Sequence, residues 1–181
     1  MKIFFDMDGT LSEFQSVGPD VWSAPGYART LSPLENVVKA VRCMLETPDF
    51  FGNPVEVYIC SAVVSMDFAV ADKKAWLKDM EIDIPEQNLI FVPYGQSKAE
   101  AIKAAGIETS VEDLFIDDYT KNLIEIHRAE GLKITPIKLL NGINDTNKSW
   151  DGPRVSAFSC PSDIITTLYG ISSVNKILSA A

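Results

Sequence analysis

Two carboxylates, Asp6 and Asp8, stand one residue apart behind the apolar run Ile3-Phe4-Phe5 and ahead of Gly9 and Thr10. The run predicts a strand and Gly9 stops it, so both acids fall at its carboxyl end, on the same side by the two-residue period. Taking two ions out of water together is costly unless a cation or hydrogen-bond donors compensate, so the pair calls for a metal. A carboxylate can also attack phosphorus and form an aspartyl phosphate. A second one can protonate the leaving oxygen and then deprotonate the water that hydrolyses the intermediate. Asp6 is the candidate nucleophile and Asp8 the candidate acid/base. Alone, the same five residues also describe a solvated acidic turn, so the chemistry depends on partners elsewhere in the chain.

A scaffold must bring those partners to one place. Leu11 to Thr30 is rich in Gly, Pro, Ser and aromatics, including Trp22 and Tyr27, and keeps neither period, which predicts a loop-rich insertion. Ser32-Pro33-Leu34-Glu35 reads as an N-cap, a proline at the first helical position and an acid, ahead of Val37, Val38, Val41, Met44 and Leu45 at helical spacing. Asn53-Pro54 breaks the chain before the strand Val55 to Cys60, which ends at Ser61-Ala62; a helix carrying Ala69, Trp76, Leu77 and Met80 follows. Asn88 to Val92 predicts a third strand, and Ser97-Lys98-Ala99-Glu100 a capping box opening a helix closed by Gly106. Leu114-Phe115-Ile116 ends in Asp117-Asp118, and Thr120 is placed as the cap of a helix running to Glu130. Lys133 to Leu140 predicts a short edge strand, because Pro136 lacks a ladder donor. Asn141 to Arg154 reads as a polar loop without a role, followed by terminal helix over Pro161 to Tyr169 and a weaker segment, Val174 to Leu178.

Strands alternating with helices predict an α/β fold with a three-layer, Rossmann-like parallel sheet, in one domain over 1–181 with 11–30 as its short insertion. Ligands of such sheets collect at the strand carboxyl ends. Asp6, Ser61 and Asp117 each end a strand and Lys98 opens the helix after another, so four segments converge on a phosphoryl-transfer site. Mg²⁺ would be held by Asp6, the Asp8 main-chain oxygen and an acid from Asp117-Asp118. Ser61 and Lys98 would clamp the remaining phosphate oxygens, with Gly9, Thr10 and Ala62 beside them in the phosphate-binding turns. Lys98 in a first helical turn opposes the macrodipole, a penalty a nearby anion would reverse. Trp76, at helical spacing, is expected in the core, and His127 is expected to be structural or exposed.

With 181 residues, 46% hydrophobic and 23% charged, the chain suits a soluble globular domain with one core. A net charge of −9 argues against a nucleic-acid duplex or an anionic membrane as partner. A small phosphorylated substrate stays compatible, because a divalent cation inverts the local sign. Cys43, Cys60 and Cys160 are odd in number and lack CxxC spacing, so neither a disulfide framework nor a zinc site is indicated and a cytoplasmic setting is expected. The chain enters a strand within two residues, and no apolar run approaches the ~18 residues of a membrane span.

Asp6-Met7-Asp8-Gly9-Thr10, strand-terminal Ser61, Lys98 and Asp117-Asp118 resemble the four motifs of the haloacid dehalogenase-like phosphohydrolases, over residues 1 to about 140. More narrowly, Ala24-Pro25-Gly26-Tyr27, Leu31-Ser32-Pro33, Val57 to Ser61, Trp76 and Leu114 to Asp118 resemble the 5′(3′)-deoxyribonucleotidase branch. The resemblance implies a Mg²⁺-dependent phosphomonoesterase acting on nucleoside monophosphates. It makes Asp6 the nucleophile, Asp8 the acid/base, Ser61 and Lys98 phosphate ligands, and Asp117 with Asp118 the metal acids. That branch carries a helical cap of several tens of residues after the first motif, whereas only Leu11 to Thr30 are available here. Trp22 and Tyr27 are the candidates to stack on a base; closure of the site by a second subunit, in a homo-oligomer, and a larger substrate are the alternatives. A receiver-type signalling domain uses similar groups in the opposite order, its acidic pair first and its phosphoacceptor later. A silent binding protein would not need to keep every reacting group.

Overall fold

Side-chain alternation sends Ile3 and Phe5 of β1 (Lys2–Phe5) to one face of a sheet and Phe4 to the other, and all three are buried. The structure, a computed structural model, describes every residue except 48, 51, 66, 145–148 and 181. After β1 come α1 (Pro19–Trp22), α2 (Glu35–Glu46), the small antiparallel pair β2 (Asp49–Phe50) and β3 (Asn53–Pro54), β4 (Glu56–Val63) and α3 (Phe68–Asp79). The chain continues through β5 (Leu89–Pro93), α4 (Lys98–Ala104), β6 (Asp113–Asp117), α5 (Thr120–Arg128), β7 (Ile134–Leu140), β8 (Arg154–Ser156) and α6 (Pro161–Ala180).

The main sheet runs in the order β5-β4-β1-β6-β7-β8, with every neighbouring pair parallel. Its central strands are continuous apolar runs because helices cover both faces. Ile3, Phe5, Val57 and Ile59 pack with α2, α3 and α6, whereas Phe4, Tyr58, Cys60 and Phe115 pack with α4 and α5. This is the predicted three-layer α/β architecture. From β1 the chain steps outward to β4 and β5, then returns to the far side of β1 to place β6, so the order of winding reverses between β1 and β6. A crevice opens at such a reversal, beyond the carboxyl ends of the two strands. Asp6 follows one of them and Asp117 ends the other.

Several boundaries differ from expectation, each for a tertiary reason. Ser32 does not cap α2: its carbonyl accepts from Glu13 N at 2.8 Å and Pro33 bridges to Ser12, so the helix begins at Glu35 behind Leu34. Thr120 is not the cap of α5 either; Tyr119 holds that position, the Thr120 hydroxyl accepts from Lys138 Nζ at 2.8 Å, and the helix ends at Arg128 rather than Glu130. Ser97 does cap α4, accepting from Glu100 N. β4 runs past Ser61-Ala62 to Val63, in register with β5 to its end. β7 is neither short nor an edge, because β8 pairs beyond it. That pairing covers only Lys138 to Leu140, which leaves Pro136 on a locally unpaired flank. The expected loop from Asn141 to Arg154 yields its last residue to β8, and residues 145–148 of it lie outside the described set. The two expected terminal segments form one 20-residue helix, α6. Among the described residues, no helix is long and apolar enough to cross a membrane.

Candidate active site

Strand β1 ends at Phe5, one residue before Asp6, and the Asp6 amide donates to Ile116 O at 3.0 Å, which fixes the first acid beside β6. Lys98, the first residue of α4, lies with its Nζ 2.7 Å from Asp6 Oδ1 and 2.7 Å from Asp117 Oδ2. Burial works against the Lys98 charge, but the Asp117 and Asp6 carboxylates outweigh it and hold the ammonium above the ordinary lysine range. Asp117 also accepts from Tyr119 N at 2.7 Å and Asn122 Nδ2 at 2.8 Å, so both of its oxygens are occupied. One carboxylate oxygen from each of Asp6, Asp117 and Asp118 lies within 4.8 Å of the other two.

Three carboxylates against Lys98 and, on the Asp118 main-chain oxygen, Lys138 leave the cluster with excess negative charge. Burial, then the Asp117 and Asp6 charges, push the Asp118 carboxyl up to about 8, and burial raises Asp117 as well. Hard oxygen donors at this spacing in an under-neutralised pocket are the ligand set of a small divalent cation. Gly9 adds a shape requirement. Its φ is +81°, and a methyl group on its Cα would lie 2.4 Å from Asp118 Oδ2. Only glycine gives the turn its left-handed conformation and leaves room for that carboxylate.

Asp8 parts company with Asp6. Because the strand has ended, side-chain alternation does not reach Asp8, and its carboxylate lies outside the three-acid cluster, paired with Lys73 Nζ at 2.6 Å. Lys73 also donates to Ser61 Oγ at 2.8 Å. Sequence reading passed over Lys73, although a signal was present: it lies four residues after Ala69 and three before Trp76, on the buried stripe of α3 where an apolar residue belongs.

Asn141 was expected in a loop without a role and instead belongs to the site. Its amide donates to Gly9 O at 2.8 Å and to Asp118 Oδ2 at 3.1 Å, tying the first turn to the last acid. Asn144 and Lys138 both hold the Asp118 carbonyl. Nothing local distinguishes Asn141 and Asn144 in a polar stretch, whereas Lys138 stands out as a charged residue within the apolar strand β7. The Gly9 and Thr10 amides are used within the turn, donating to Ser12 O and Met7 O. Among the described residues the buried Thr10 hydroxyl has no hydrogen-bond partner. Ser61 is fully buried, and Ala62 follows it in β4.

The insertion is fastened to α3. Gly26 N donates to Asp72 Oδ2 at 2.5 Å, Arg29 pairs with Asp79, and the Trp76 indole donates to Leu31 O at 2.8 Å. This anchorage brings Tyr27 near Asp8: partial burial and the Asp8 charge together hold its hydroxyl above the usual phenol range. Trp22 meets the exposed Tyr94, with ring centroids 5.2 Å apart and planes at 43°. Those rings, with Ser23, Val63, Val64, Ser65 and Pro93, line a cavity of about 420 Å³ at the carboxyl ends of β4 and β5.

No family model and no curated protein sequence matches this chain. Among solved structures, it is similar to that of D,D-heptose 1,7-bisphosphate phosphatase from Burkholderia thailandensis, with a TM-score of 0.57 over 92% of this chain and 97% of that one. At 10% sequence identity, the shared property is the fold.

Proposed function

We propose that the chain is a magnesium-dependent phosphomonoesterase of the haloacid dehalogenase-like class, acting on nucleoside 5′-monophosphates, deoxyribonucleotides in particular. The observation that carries this reading is the meeting of Asp6, Asp117, Asp118 and Lys98 at the sheet reversal, with Asp8 held separately by Lys73. The likeness in fold to a phosphatase lends it support.

Asp6, Asp117 and Asp118 would hold the Mg²⁺, with the Asp8 main-chain oxygen as a further ligand. The cation would supply charge neutralisation, lowering the repulsion between an anionic nucleophile and a phosphate dianion. Lys98 fixes one Asp6 oxygen, so the carboxylate is oriented before substrate arrives. Asp6 attacks phosphorus as the ester bond breaks, and the departing oxygen takes a proton from Asp8. Asp8 then removes a proton from water as that water attacks the aspartyl phosphate, releasing phosphate and restoring Asp6. The separation of Asp8 from the acid cluster leaves its side chain free of metal ligation for these two proton transfers. Ser61, with its hydroxyl proton free to donate, and Thr10 serve the phosphate oxygens.

The nucleotide assignment rests on the cavity at the carboxyl ends of β4 and β5, on the same edge of the sheet as the site. Its lining is aromatic, aliphatic and hydroxyl-bearing without a charged side chain, which suits a planar, uncharged leaving group better than a second phosphate. Trp22 and Tyr94 supply the stacking surface from a single chain, and Tyr27 stands at the Asp8 side. The three free thiols fit a reducing cytoplasm. Asp6→Asn is expected to abolish magnesium-dependent phosphate release while leaving the fold intact; unchanged turnover in that variant refutes the mechanism. A panel of deoxyribo- and ribonucleotides, sugar phosphates and sugar bisphosphates tests the substrate, and equal or better turnover of sugar phosphates removes the nucleotide assignment.

A further inference from the structure

We propose that Lys73 is a second catalytic cation of this site, binding the phosphoryl oxygens together with Ser61 while Lys98 serves the acid cluster. The proposal rests on the phosphomonoesterase reading and adds to it a residue and a division of labour. Lys73 is only 4% exposed, on the buried stripe of α3, where an ammonium is costly unless it is paired and hydrogen-bonded. A structural role at that position would be met by an apolar residue.

The two lysines differ in what they have left to give. Lys98 lies 2.7 Å from each of two carboxylates, so its charge is shared between Asp6 and Asp117. Among the described residues Lys73 faces one carboxylate, Asp8, and one neutral acceptor, Ser61 Oγ. An ammonium has three N–H donors, so one remains for a ligand. Ser61 accepts from Lys73 and therefore keeps its own proton to donate. A hydroxyl that accepts from a cation is a stronger donor, so the pair acts as a unit on one phosphate face.

Chemistry gives the unit its task. As the Asp6 oxygen bonds to phosphorus and the ester bond breaks, the electron pair leaves with the ester oxygen, which is neutralised by the Asp8 proton. The non-bridging oxygens keep their negative charge throughout. Lys73 touches Asp8 and Ser61 at once, and so bridges the proton donor and the phosphoryl group.

The test is isothermal titration with inorganic phosphate in saturating Mg²⁺, alongside steady-state kinetics on the best nucleotide of the panel. Lys73→Met is expected to weaken phosphate binding and to lower kcat/KM by about 10²-fold, with Mg²⁺ affinity unchanged; Lys73→Arg should recover part of both losses. A merely structural lysine would move the melting temperature without moving phosphate affinity in the folded protein. Should Lys73→Met fail to fold, Lys73→Gln, which removes the positive charge, is measured in its place and is still expected to weaken phosphate binding. Wild-type phosphate affinity and turnover in the folded variant overturn the assignment. A wild-type protein that neither binds phosphate nor hydrolyses any ester of the panel defeats the phosphomonoesterase reading itself, a different outcome.

Discussion

Gly9 carries two constraints at once, a left-handed backbone and the close approach of the Asp118 carboxylate. The carboxylate is also tied in place by Asn141, whose amide bonds both Asp118 Oδ2 and Gly9 O. Gly9→Ala should therefore destabilise the fold by about 1–3 kcal/mol through backbone strain and weaken Mg²⁺ binding as well, read by urea denaturation and metal titration. The sequence showed that Gly9 stops a strand. It did not show the second reason, since Asp118 lies more than a hundred residues away. At this scale the candidate site residues were legible and their pairings were not. Asp6 and Asp8 were paired by the alternation of a strand that ends before either of them, and Asp8 proves to belong to Lys73.

Helix α3 does more than cover the sheet. Its Asp72 and Asp79 hold the insertion, and its buried stripe supplies both Trp76, which bonds Leu31 O, and Lys73, which reaches Asp8 and Ser61. The insertion and Asp8 are thus referenced to one element. Trp76→Phe keeps an aromatic ring in the core but loses the bond to Leu31 O, leaving that buried carbonyl without its donor. It is expected to lower stability by about 1–3 kcal/mol and to raise KM more than it lowers kcat, measured by urea denaturation and steady-state kinetics. Trp76 was legible as core from its helical spacing. The insertion's anchorage was not, because Leu11 to Thr30 has no period to read, and its contacts are set by the packing of α3. Ser32 and Thr120 show the converse: good local capping residues lost to long-range partners, Glu13 N for the Ser32 carbonyl and Lys138 for the Thr120 hydroxyl.

Across the whole molecule the fold concentrates acid at one place, the winding reversal between β1 and β6. Asp117 and Asp118 have folded-state pKa values above the ordinary 3.8, Asp118 up to about 8. In the pH range between those values the folded state binds more protons than the unfolded chain, so stability falls as pH rises through it. Metal-free protein should accordingly lose stability from pH 4 towards pH 8. Mg²⁺ should remove that slope and stabilise more at pH 8 than at pH 5, where protons compete for the same oxygens. Urea midpoints with and without Mg²⁺ check this, and a slope unaffected by Mg²⁺ would refute a cation site at these three acids.

The sequence by itself determined the class of fold and named most of the side chains that meet at the candidate site, because strand and helix periods and the order of short motifs are local properties of the chain. Only the tertiary structure decided which charge meets which: Lys98 bridging Asp6 and Asp117, Lys73 taking Asp8, Asn141 clamping Gly9 to Asp118. Asp8 and Lys73 are 65 residues apart, Gly9 and Asn141 132. Partnerships over such distances follow from the order of strands in the sheet and the rotation of each helix against it, and no local period encodes either.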